Sequence, residues 1–349
     1  MNAVPNRVWF SLTGLCNNAC VWCHRKGSEV KRFLGPEVIV PIAKTLSASG
    51  VKFCTLAGGE PTLHPDCLAL AGTLSQIFNS CALVTNGRLL SGPLPEEWLT
   101  GRVRVTISLH GATPQHYLEN TGSKRGFTEA IQAVLNLGQK GLHPSLSVVL
   151  GPENIAHATE FVRLAVDLAV DTICFTIAIP SIDDATYTSV PMEIPKAVEE
   201  IHALCMAAGQ KHVFIFSLPW CMLRREFLEE LIDTRSIMFN CPVPDGKVLV
   251  IKENGALGLC THTTSLELLD AEATQEIMST PDRFLAFWNS EKMHGLRQVV
   301  DVDRHPNCAV CTYRNYCKGG CPLWWKFFNF GDIIAERGGD YDEGFRDPV

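Results

Sequence analysis

The sequence predicts an α/β fold in which a parallel sheet occupies the N-terminal part of the chain. Up to about residue 208, six short apolar segments alternate with segments of helical periodicity. This is the pattern of a parallel sheet covered by helices. Beyond about residue 210 the alternation ends, and cysteines cluster at 308–321. We therefore expect a second, cysteine-rich domain in the C-terminal part.

The predicted strands are apolar with only weak alternation, as expected when helices cover the sheet. They are 8–12, 51–57, 81–85, 103–109, 146–150 and 172–177. Of the helices between them, one has Pro36 in its first turn and the next has Asp66 as a candidate N-cap. Further helices are expected at about 127–137, 161–168 and 197–208. A closed or partly closed barrel and an open doubly wound sheet both fit, and both carry their chemistry at the C-terminal ends of the strands.

Composition excludes several classes of protein. The chain has 349 residues, 46% of them hydrophobic and 19% charged, which is not the balance of a disordered protein. A net charge of −7 gives no electrostatic reason to bind nucleic acid or an anionic membrane. The sequence shows neither a secretory signal nor an apolar run long enough to span a membrane, so we expect a cytoplasmic protein. Thiols stay reduced there, so the 15 cysteines predict metal ligands rather than disulfides.

A hairpin is predicted in the C-terminal part. Asn254-Gly255 is a strong two-residue turn signal between the apolar segments 247–252 and 256–260. We place the domain boundary between about residues 210 and 240. Several cysteines lie among apolar neighbours in predicted strands and helices, and we interpret them as core residues. They are Cys54, Cys67, Cys81, Cys174 and Cys205.

The first chemical motif, Cys16-x3-Cys20-x2-Cys23, follows the first strand. A loop can wrap such closely spaced thiolates around one centre, whereas a regular element cannot. Three cysteines can hold a cubane iron–sulfur cluster and leave its fourth iron open for another ligand. The alternative is a zinc knuckle completed by His24, although adjacent Cys23 and His24 share one tetrahedral ion with difficulty.

This motif, at this place in the chain, resembles the radical S-adenosylmethionine (SAM) superfamily. Gly58-Gly59-Glu60-Pro61, after the second strand, looks like the motif with which that family binds the amino group of SAM. Asn86 and Ser108 end the third and fourth strands as such enzymes often do, and Trp22 stands where the family has a residue near the adenine. The resemblance implies a partial (β/α)6 TIM-type barrel that holds SAM and a [4Fe-4S] cluster on Cys16, Cys20 and Cys23.

The second motif combines Cys308-x2-Cys311-x5-Cys317-x3-Cys321 with an upstream Cys241-x13-Gly255-x4-Cys260. It resembles the SPASM domain, which holds auxiliary iron–sulfur clusters. The implied division is a radical SAM barrel at 1–215, a linker at 216–240 and a SPASM-like domain at 241–349. A zinc ribbon is the alternative, but a four-thiolate zinc site leaves two of these cysteines unexplained.

The resemblance also implies how these cysteines are shared. Cys241, Cys260 and Cys321 would serve one auxiliary [4Fe-4S] cluster, and Cys308, Cys311 and Cys317 a second. The family's further downstream cysteine has no counterpart here, so Asp340, Asp342 or an open iron are the alternatives for the second cluster. For the fourth ligand of the first cluster, the nearest candidate is Cys221, with a structural role for that cysteine as the alternative.

The resemblance implies reductive cleavage of SAM to a 5′-deoxyadenosyl radical, which abstracts hydrogen from an unactivated C–H. We expect the substrate to be a ribosomal peptide or a protein side chain. The alternatives are a sugar, nucleoside or other small natural product, or a non-catalytic iron–sulfur or zinc protein. Expected partners are an electron donor such as flavodoxin or ferredoxin and a separate leader-peptide-binding protein. The first strand begins by Val8, so no leader-binding domain fits before it. This weakens the case for a peptide substrate and favours a small molecule, and a peptide substrate then requires the leader-binding protein to be a separate chain.

Substrate-positioning residues are the least specified by the sequence. His110 follows the fourth strand and Asp183 the sixth, and both are candidate catalytic residues. Asp184 and His262 are further candidates, and for all of them a solvated or core-edge role is the alternative. An aromatic block at 324–328 is expected to pack beneath the cysteine-rich domain, with a substrate platform as the alternative.

Overall fold

The computed structural model describes residues 3–25, 32–100, 102–183, 192–238, 241–263, 265–298 and 306–329. It confirms the predicted α/β class, with a mostly parallel sheet and helices between the strands. The chain divides into two compact units, one of Met1–Leu146 with Pro242–Gln298 and the other of Ser147–Cys241 with Val299–Val349. No helix within the described ranges is both long and apolar enough to cross a membrane.

Strands and helices are numbered separately along the chain. The strands are β1 (Arg7–Ser11), β2 (Phe53–Ala57), β3 (Ser80–Thr85), β4 (Val103–Ser108), β5 (Ser145–Leu150), β6 (Ile173–Ile177), β7 (His212–Ile215), β8 (Ile237–Met238), β9 (Val248–Ile251) and β10 (Leu257–Gly258). The helices are α1 (Pro36–Ala48), α2 (Cys67–Ile77), α3 (Pro114–Thr121), α4 (Gly126–Gln139), α5 (Ala158–Asp167), α6 (Ile194–Ala208), α7 (Arg225–Asp233), α8 (Ala271–Ile277), α9 (Pro281–Trp288), α10 (Glu291–Gln298), α11 (Arg314–Cys317) and α12 (Trp324–Phe327).

In the first unit the strands follow the order β10-β9-β1-β2-β3-β4. All neighbours are parallel except β10, which runs antiparallel to β9. Because the strands are parallel, the C-terminal ends of β1 to β4 lie at one edge of the sheet, followed by the predicted site segments. Helix α1 covers the sheet with buried Ile39, Ile42 and Leu46 at helical spacing. Helix α2 begins after Asp66 as predicted, but the Asp66 side chain makes no capping hydrogen bond.

The Asn254-Gly255 hairpin forms as predicted, with Gly255 at a φ of +86°. Its first strand, β9, also pairs with β1, so the hairpin extends the sheet of the first unit instead of starting a separate domain at 241. The physical reason lies in the sequence of β9, Val-Leu-Val-Ile, in which every residue is buried. A strand that is apolar on both faces gains most by joining a covered sheet.

In the second unit the strand order is β5-β6-β7-β8, and β6, β7 and β8 are parallel. The predicted linker at 216–240 therefore differs from the structure, which has a 3₁₀ helix at Trp220–Met222, helix α7 and strand β8 there. Helix α7 buries Phe227, Leu228 and Leu231 and exposes charged residues, so it belongs to the packed layer of this unit.

Candidate functional site

Cys16, Cys20 and Cys23, hereafter the loop cysteines, lie in the turns that follow β1. Cys16 is exposed, and the other two are half-buried. Burial raises the pKa of Cys20 well above that of an ordinary thiol, and the neighbouring Cys23 and Cys16 raise it further because thiolates repel one another. Three thiolates this close together are therefore stable only when they bind a metal cation.

The loop that carries these cysteines is held by polar contacts from two other segments. Asn86, after β3, donates from Nδ2 to Oδ1 of Asn17 over 2.6 Å. The Arg88 guanidinium donates to the Asn17 carbonyl, and also to Oδ1 of Asn18 over 3.0 Å. Asn18 in turn donates from Nδ2 to the Tyr117 hydroxyl on α3 over 3.0 Å. These contacts hold the loop against the segment after β3 and against α3.

Backbone contacts with α3 complete this support. The Ala19 amide donates to the Thr121 carbonyl over 2.9 Å, and the Val21 amide donates to the Asn120 carbonyl over 3.1 Å. Arg88 is held in its turn by Glu129 on α4, from Nε to Oε2 over 2.6 Å. No sequence motif marks Asn17, Asn18, Arg88 or Tyr117 as part of the site. Their partners are distant in the chain, so no spacing rule connects them.

The segment 58–61 lies directly against the cysteine loop. The Gly59 amide donates to the Thr13 carbonyl and the Glu60 amide donates to the Leu15 carbonyl, each over 2.7 Å. A Cβ at Gly59 would stand 2.2 Å from the Leu15 oxygen. Gly58 has a φ of +139°, and its Cβ would stand 2.5 Å from the Thr13 oxygen. Both glycines are therefore required by this close backbone approach.

Glu60 links the ends of β2 and β3. Its side chain is buried, with 1% of the residue exposed. Oε1 accepts from the Thr62 amide over 3.0 Å and from the Thr85 hydroxyl over 2.6 Å, and Oε2 accepts from the Asn86 amide over 2.7 Å. Burial raises the Glu60 pKa, and these hydrogen bonds oppose that rise. Pro61 begins the short 3₁₀ helix that Glu60 caps.

His110 follows the end of β4, beyond the half-buried Ser108. The His110 and Trp22 rings meet edge to face with centroids 5.6 Å apart, and Trp22 is 8% exposed. The His110 carbonyl accepts from Nδ2 of Asn120 over 2.8 Å. Burial lowers the His110 pKa to about 4, so the ring is neutral near pH 7. Its buried Nδ1 has no hydrogen-bond partner among the described residues.

Polar residues of the C-terminal hairpin belong to the same unit. The His24 and His262 rings lie with centroids 4.2 Å apart. Burial lowers the His262 pKa to about 4. The Arg25 guanidinium pairs with Glu253, which also accepts from the Ser11 hydroxyl over 2.7 Å. The sequence indicates His262 as a candidate but not its pairing with His24. Cys260, two residues before His262, is half-buried, and its sulfur accepts from the His262 amide over 3.4 Å.

The second unit contains a cysteine-lined pocket, hereafter the C-terminal pocket, of about 370 Å³ including open solvent. Its lining comes from two segments, the stretch after β7 and the cysteine-rich segment. The lining residues are Pro219, Trp220, Cys221, Cys308, Cys311, Tyr313, Arg314, Cys317, Lys318 and Gly319. The structure thus brings together the predicted trio Cys308, Cys311 and Cys317. It also places Cys221 beside that trio. The sequence analysis instead made Cys221 a candidate ligand of the cluster on Cys241, Cys260 and Cys321.

Other predicted residues are placed as follows. Cys241 is half-buried in the second unit, and Cys321 is buried there, with its amide donating to the Ser217 carbonyl over 2.7 Å. Asp183 is exposed, and its amide donates to the Ser181 hydroxyl over 3.0 Å. Asp184, Asp340 and Asp342 lie outside the described residues. Trp324 is fully buried, as the packing interpretation of the aromatic block expects.

The core interpretation of the remaining cysteines is confirmed for Cys54, Cys67, Cys81 and Cys205, which are buried, whereas Cys174 is half-buried. Within the described part of the chain, no group of three His, Cys, Asp or Glu side chains converges as a single metal ion requires. A cubane cluster has its irons at separate corners, so its thiolates surround a volume instead of meeting at one point.

Among curated proteins, the chain is similar to a probable GTP 3′,8-cyclase of Sulfurisphaera tokodaii, with 32% identity over 164 residues, which is 46% of this chain and 52% of that protein. The probable GTP 3′,8-cyclase of Saccharolobus solfataricus is also 32% identical, over 47% of this chain and 54% of its own length. The chain thus spans about half the length of the curated relatives that it matches.

Among solved structures, Streptococcus suis SuiB bound to S-adenosylmethionine matches with a TM-score of 0.71 and 14% identity, covering 91% of this chain and 73% of that one. Native anSMEcpe with bound AdoMet and the Cp18Cys peptide matches with a TM-score of 0.66 and 16% identity, covering 97% of this chain and 98% of that one. At these identities the matches establish a common fold, which confirms the expected partial-barrel class.

The model of the radical SAM superfamily matches residues 10–165, which contain the loop cysteines and the segments after β2, β3 and β4. Enzymes of this family use a [4Fe-4S] cluster and SAM. Residues 10–165, somewhat less than half of the chain, are thus similar to the radical SAM superfamily.

Proposed function

We propose that this radical SAM enzyme modifies a side chain of a peptide or protein by abstracting hydrogen from an unactivated C–H. A [4Fe-4S] cluster on the loop cysteines would supply one electron to cleave SAM and so generate the 5′-deoxyadenosyl radical. The observation that carries the proposal is the fixed cysteine loop with the segment 58–61 docked against it. The cofactor fits these residues, because three thiols share one loop and the adjoining glycine backbone leaves no space for side chains.

The other residues of the first unit would orient SAM and substrate. The segment 58–61 would face the amino group of SAM, and Glu60 would act mainly by holding the ends of β2 and β3, since both of its oxygens already accept hydrogen bonds. Asn86 and Ser108 would contribute polar contacts, and Trp22 would border the adenine. A neutral His110, with its unpartnered Nδ1, would accept or donate one hydrogen bond to the bound molecules without bringing a charge. Holding the C–H close to the radical and excluding water is the protein's own contribution to the rate.

The fold favours a peptide substrate. SuiB has been solved bound to the precursor peptide SuiA, and anSMEcpe with a bound peptide, and these folds cover 91% and 97% of this chain. A nucleotide substrate is the second candidate, because the curated relatives are named GTP 3′,8-cyclases. That similarity covers less than half of this chain, so it supports the shared radical chemistry more than it supports a shared substrate.

The proposal includes the auxiliary clusters, the cellular setting and the partners. Cys308, Cys311 and Cys317 would hold one auxiliary cluster, and the assignment of Cys241, Cys260 and Cys321 to another stays a prediction of the sequence, as does a catalytic role for Asp183. Flavodoxin or ferredoxin would deliver electrons in the reducing cytoplasm, and a separate protein would present the leader of a peptide substrate.

The substrate is tested with reconstituted protein, SAM and dithionite under anaerobic conditions. One arm receives a synthetic library of short peptides that contain Ser or Cys, and the other receives GTP. We expect peptides of altered mass, with 5′-deoxyadenosine formed above the level without peptide. When the side-chain hydrogens of the peptides are replaced by deuterium, 5′-deoxyadenosine should acquire deuterium. Conversion of GTP to a new product, with every peptide unchanged, would contradict the peptide proposal and favour the nucleotide.

A further inference from the structure

We propose that Cys221 is the fourth thiolate of the cluster on Cys308, Cys311 and Cys317, so that this cluster is ligated by cysteine at all four irons. The inference rests on the auxiliary cluster of the proposed function. All four cysteines line the same C-terminal pocket. A cubane takes four ligands, and the cysteine-rich segment contributes three thiols to this pocket. The sequence alone had left an aspartate or an open iron for the fourth position.

Cys221 reaches the pocket through a fixed backbone arrangement. It lies in the 3₁₀ helix Trp220–Met222, which follows β7 after a short turn. The turn is docked on the cysteine-rich segment, because the Cys321 amide donates to the Ser217 carbonyl over 2.7 Å. Gly320, at a φ of +78°, comes so close that a Cβ would stand 2.5 Å from the Ser217 oxygen. This contact sets the position of Cys221 relative to the cysteines of the segment.

The pocket also offers hydrogen-bond donors suited to sulfur. The Trp220 amide donates to Sγ of Cys317 over 3.2 Å, and the amides of Gly319 and Gly320 donate to the same thiol. Trp220 lines the pocket and is only 6% exposed, yet its Nε1 has no hydrogen-bond partner among the described residues. A buried indole N–H is normally bonded, and the sulfide or thiolate of a cluster would accept from it.

Full thiolate ligation has a functional consequence. A cluster with four cysteines has no open iron, so it cannot anchor a substrate or an exchangeable small molecule. The cluster in the C-terminal pocket would therefore serve electron transfer, and direct binding of substrate would belong elsewhere in the protein.

The test is made in full-length protein whose loop cysteines are all replaced by Ala, so that spectra report only the auxiliary clusters. We compare Cys221→Ala with Cys308→Ala, which removes a ligand of the same pocket, and with Cys174→Ala. Cys174 is a half-buried thiol of the same unit that does not line the pocket. Each protein is reconstituted anaerobically, its iron and sulfide are counted, and its electron paramagnetic resonance spectrum is recorded in oxidised and reduced states.

We expect the parent to hold about eight irons if both auxiliary clusters form. Cys221→Ala and Cys308→Ala should each lose about four of them, or show a three-iron signal on oxidation, whereas Cys174→Ala should match the parent. Loss in Cys308→Ala with the parent spectrum in Cys221→Ala would overturn the inference. If Cys221→Ala and Cys308→Ala both show the parent spectrum, no cluster lies in the pocket, and the inference is overturned as well. That result would not bear on SAM cleavage at the loop cysteines, which is measured separately by 5′-deoxyadenosine formation.

Cys221→Ser keeps the proposal testable if the alanine variant does not fold. A serine oxygen in place of sulfur would shift the midpoint potential and the reduced-state spectrum of one auxiliary cluster, because ligand identity tunes both. A potential and spectrum equal to those of the parent would show that Cys221 does not bind iron.

Discussion

Gly59→Ala should separate the segment 58–61 from the cysteine loop. The new Cβ would stand 2.2 Å from the Leu15 oxygen and 2.8 Å from the Gly14 oxygen, whereas ordinary contact begins at 3.4 Å. Both obstacles are backbone atoms, so neither can rotate away as the end of a side chain would. The two segments must therefore move apart by about 1 Å, given the difference between those distances.

That movement removes two backbone hydrogen bonds, from the Gly59 amide to Thr13 and from the Glu60 amide to Leu15. Each bond contributes about 1 kcal/mol net, and each buried group left without a partner costs about 1–3 kcal/mol. We therefore expect the free energy of unfolding to fall by about 2–5 kcal/mol. SAM affinity should fall as well, because the proposed binding segment is displaced.

Urea unfolding of matched preparations measures the stability, and equilibrium dialysis of SAM with the reconstituted protein measures the affinity. Gly138→Ala is the control, since no neighbouring atom lies within 4 Å of the Cβ position in the last turn of α4. That control should be neutral or gain up to about 1 kcal/mol. A Gly59→Ala protein within about 0.5 kcal/mol of the wild type, with unchanged SAM affinity, would refute the close-approach argument.

Two further predictions concern residues around the loop. Arg88→Met removes a guanidinium that joins the loop to Glu129 and belongs to a side chain only 16% exposed. We expect the free energy of unfolding to fall by about 2 kcal/mol, and the loop cysteines to retain iron less well. Arg125→Met removes the other Glu129 partner, which is 85% exposed, and should stay within about 0.5 kcal/mol; equal effects of the two variants in urea unfolding would contradict the prediction. His110→Asn should flatten the pH dependence of stability. The pKa of His110 is about 4 in the folded protein and near 6.5 in the unfolded chain, so acid protonates the unfolded state first. Between pH 7 and pH 5 the free energy of unfolding of the wild type should therefore fall by about 2 kcal/mol more than that of the variant. His143→Asn, at an exposed position, is the control. If His110→Asn keeps the wild-type dependence of stability on pH, the His110 ring is not held neutral.

Much of the first unit could be predicted because its signals are local. The apolar runs that became β1 to β4 are bounded by glycine, proline or polar turns, and the loop cysteines and the segment 58–61 stand directly after such runs. The class of chemistry followed from a spacing of three cysteines that few other sites share.

The contacts that fix the loop could not be predicted, because they join residues that are distant in the chain. Arg88 reaches Asn17 and Asn18 across about 70 positions, and no periodicity marks such a pair. Helix α7 was missed because its short amphipathic pattern, with Phe227, Leu228 and Leu231 inside, lies in a stretch interpreted as a linker. The proposed role of Cys221 rests on the docking of two backbone segments and not on cysteine spacing.

The most direct test of the central claim is the yield of 5′-deoxyadenosine per chain from SAM and dithionite after anaerobic reconstitution. The wild type should form it, and so should Cys174→Ala, whose half-buried thiol lies in the second unit. The variant with all three loop cysteines replaced by Ala should form none, yet should still bind iron at its C-terminal cysteines. Reductive cleavage of SAM at the wild-type rate by that variant would contradict the assignment of Cys16, Cys20 and Cys23.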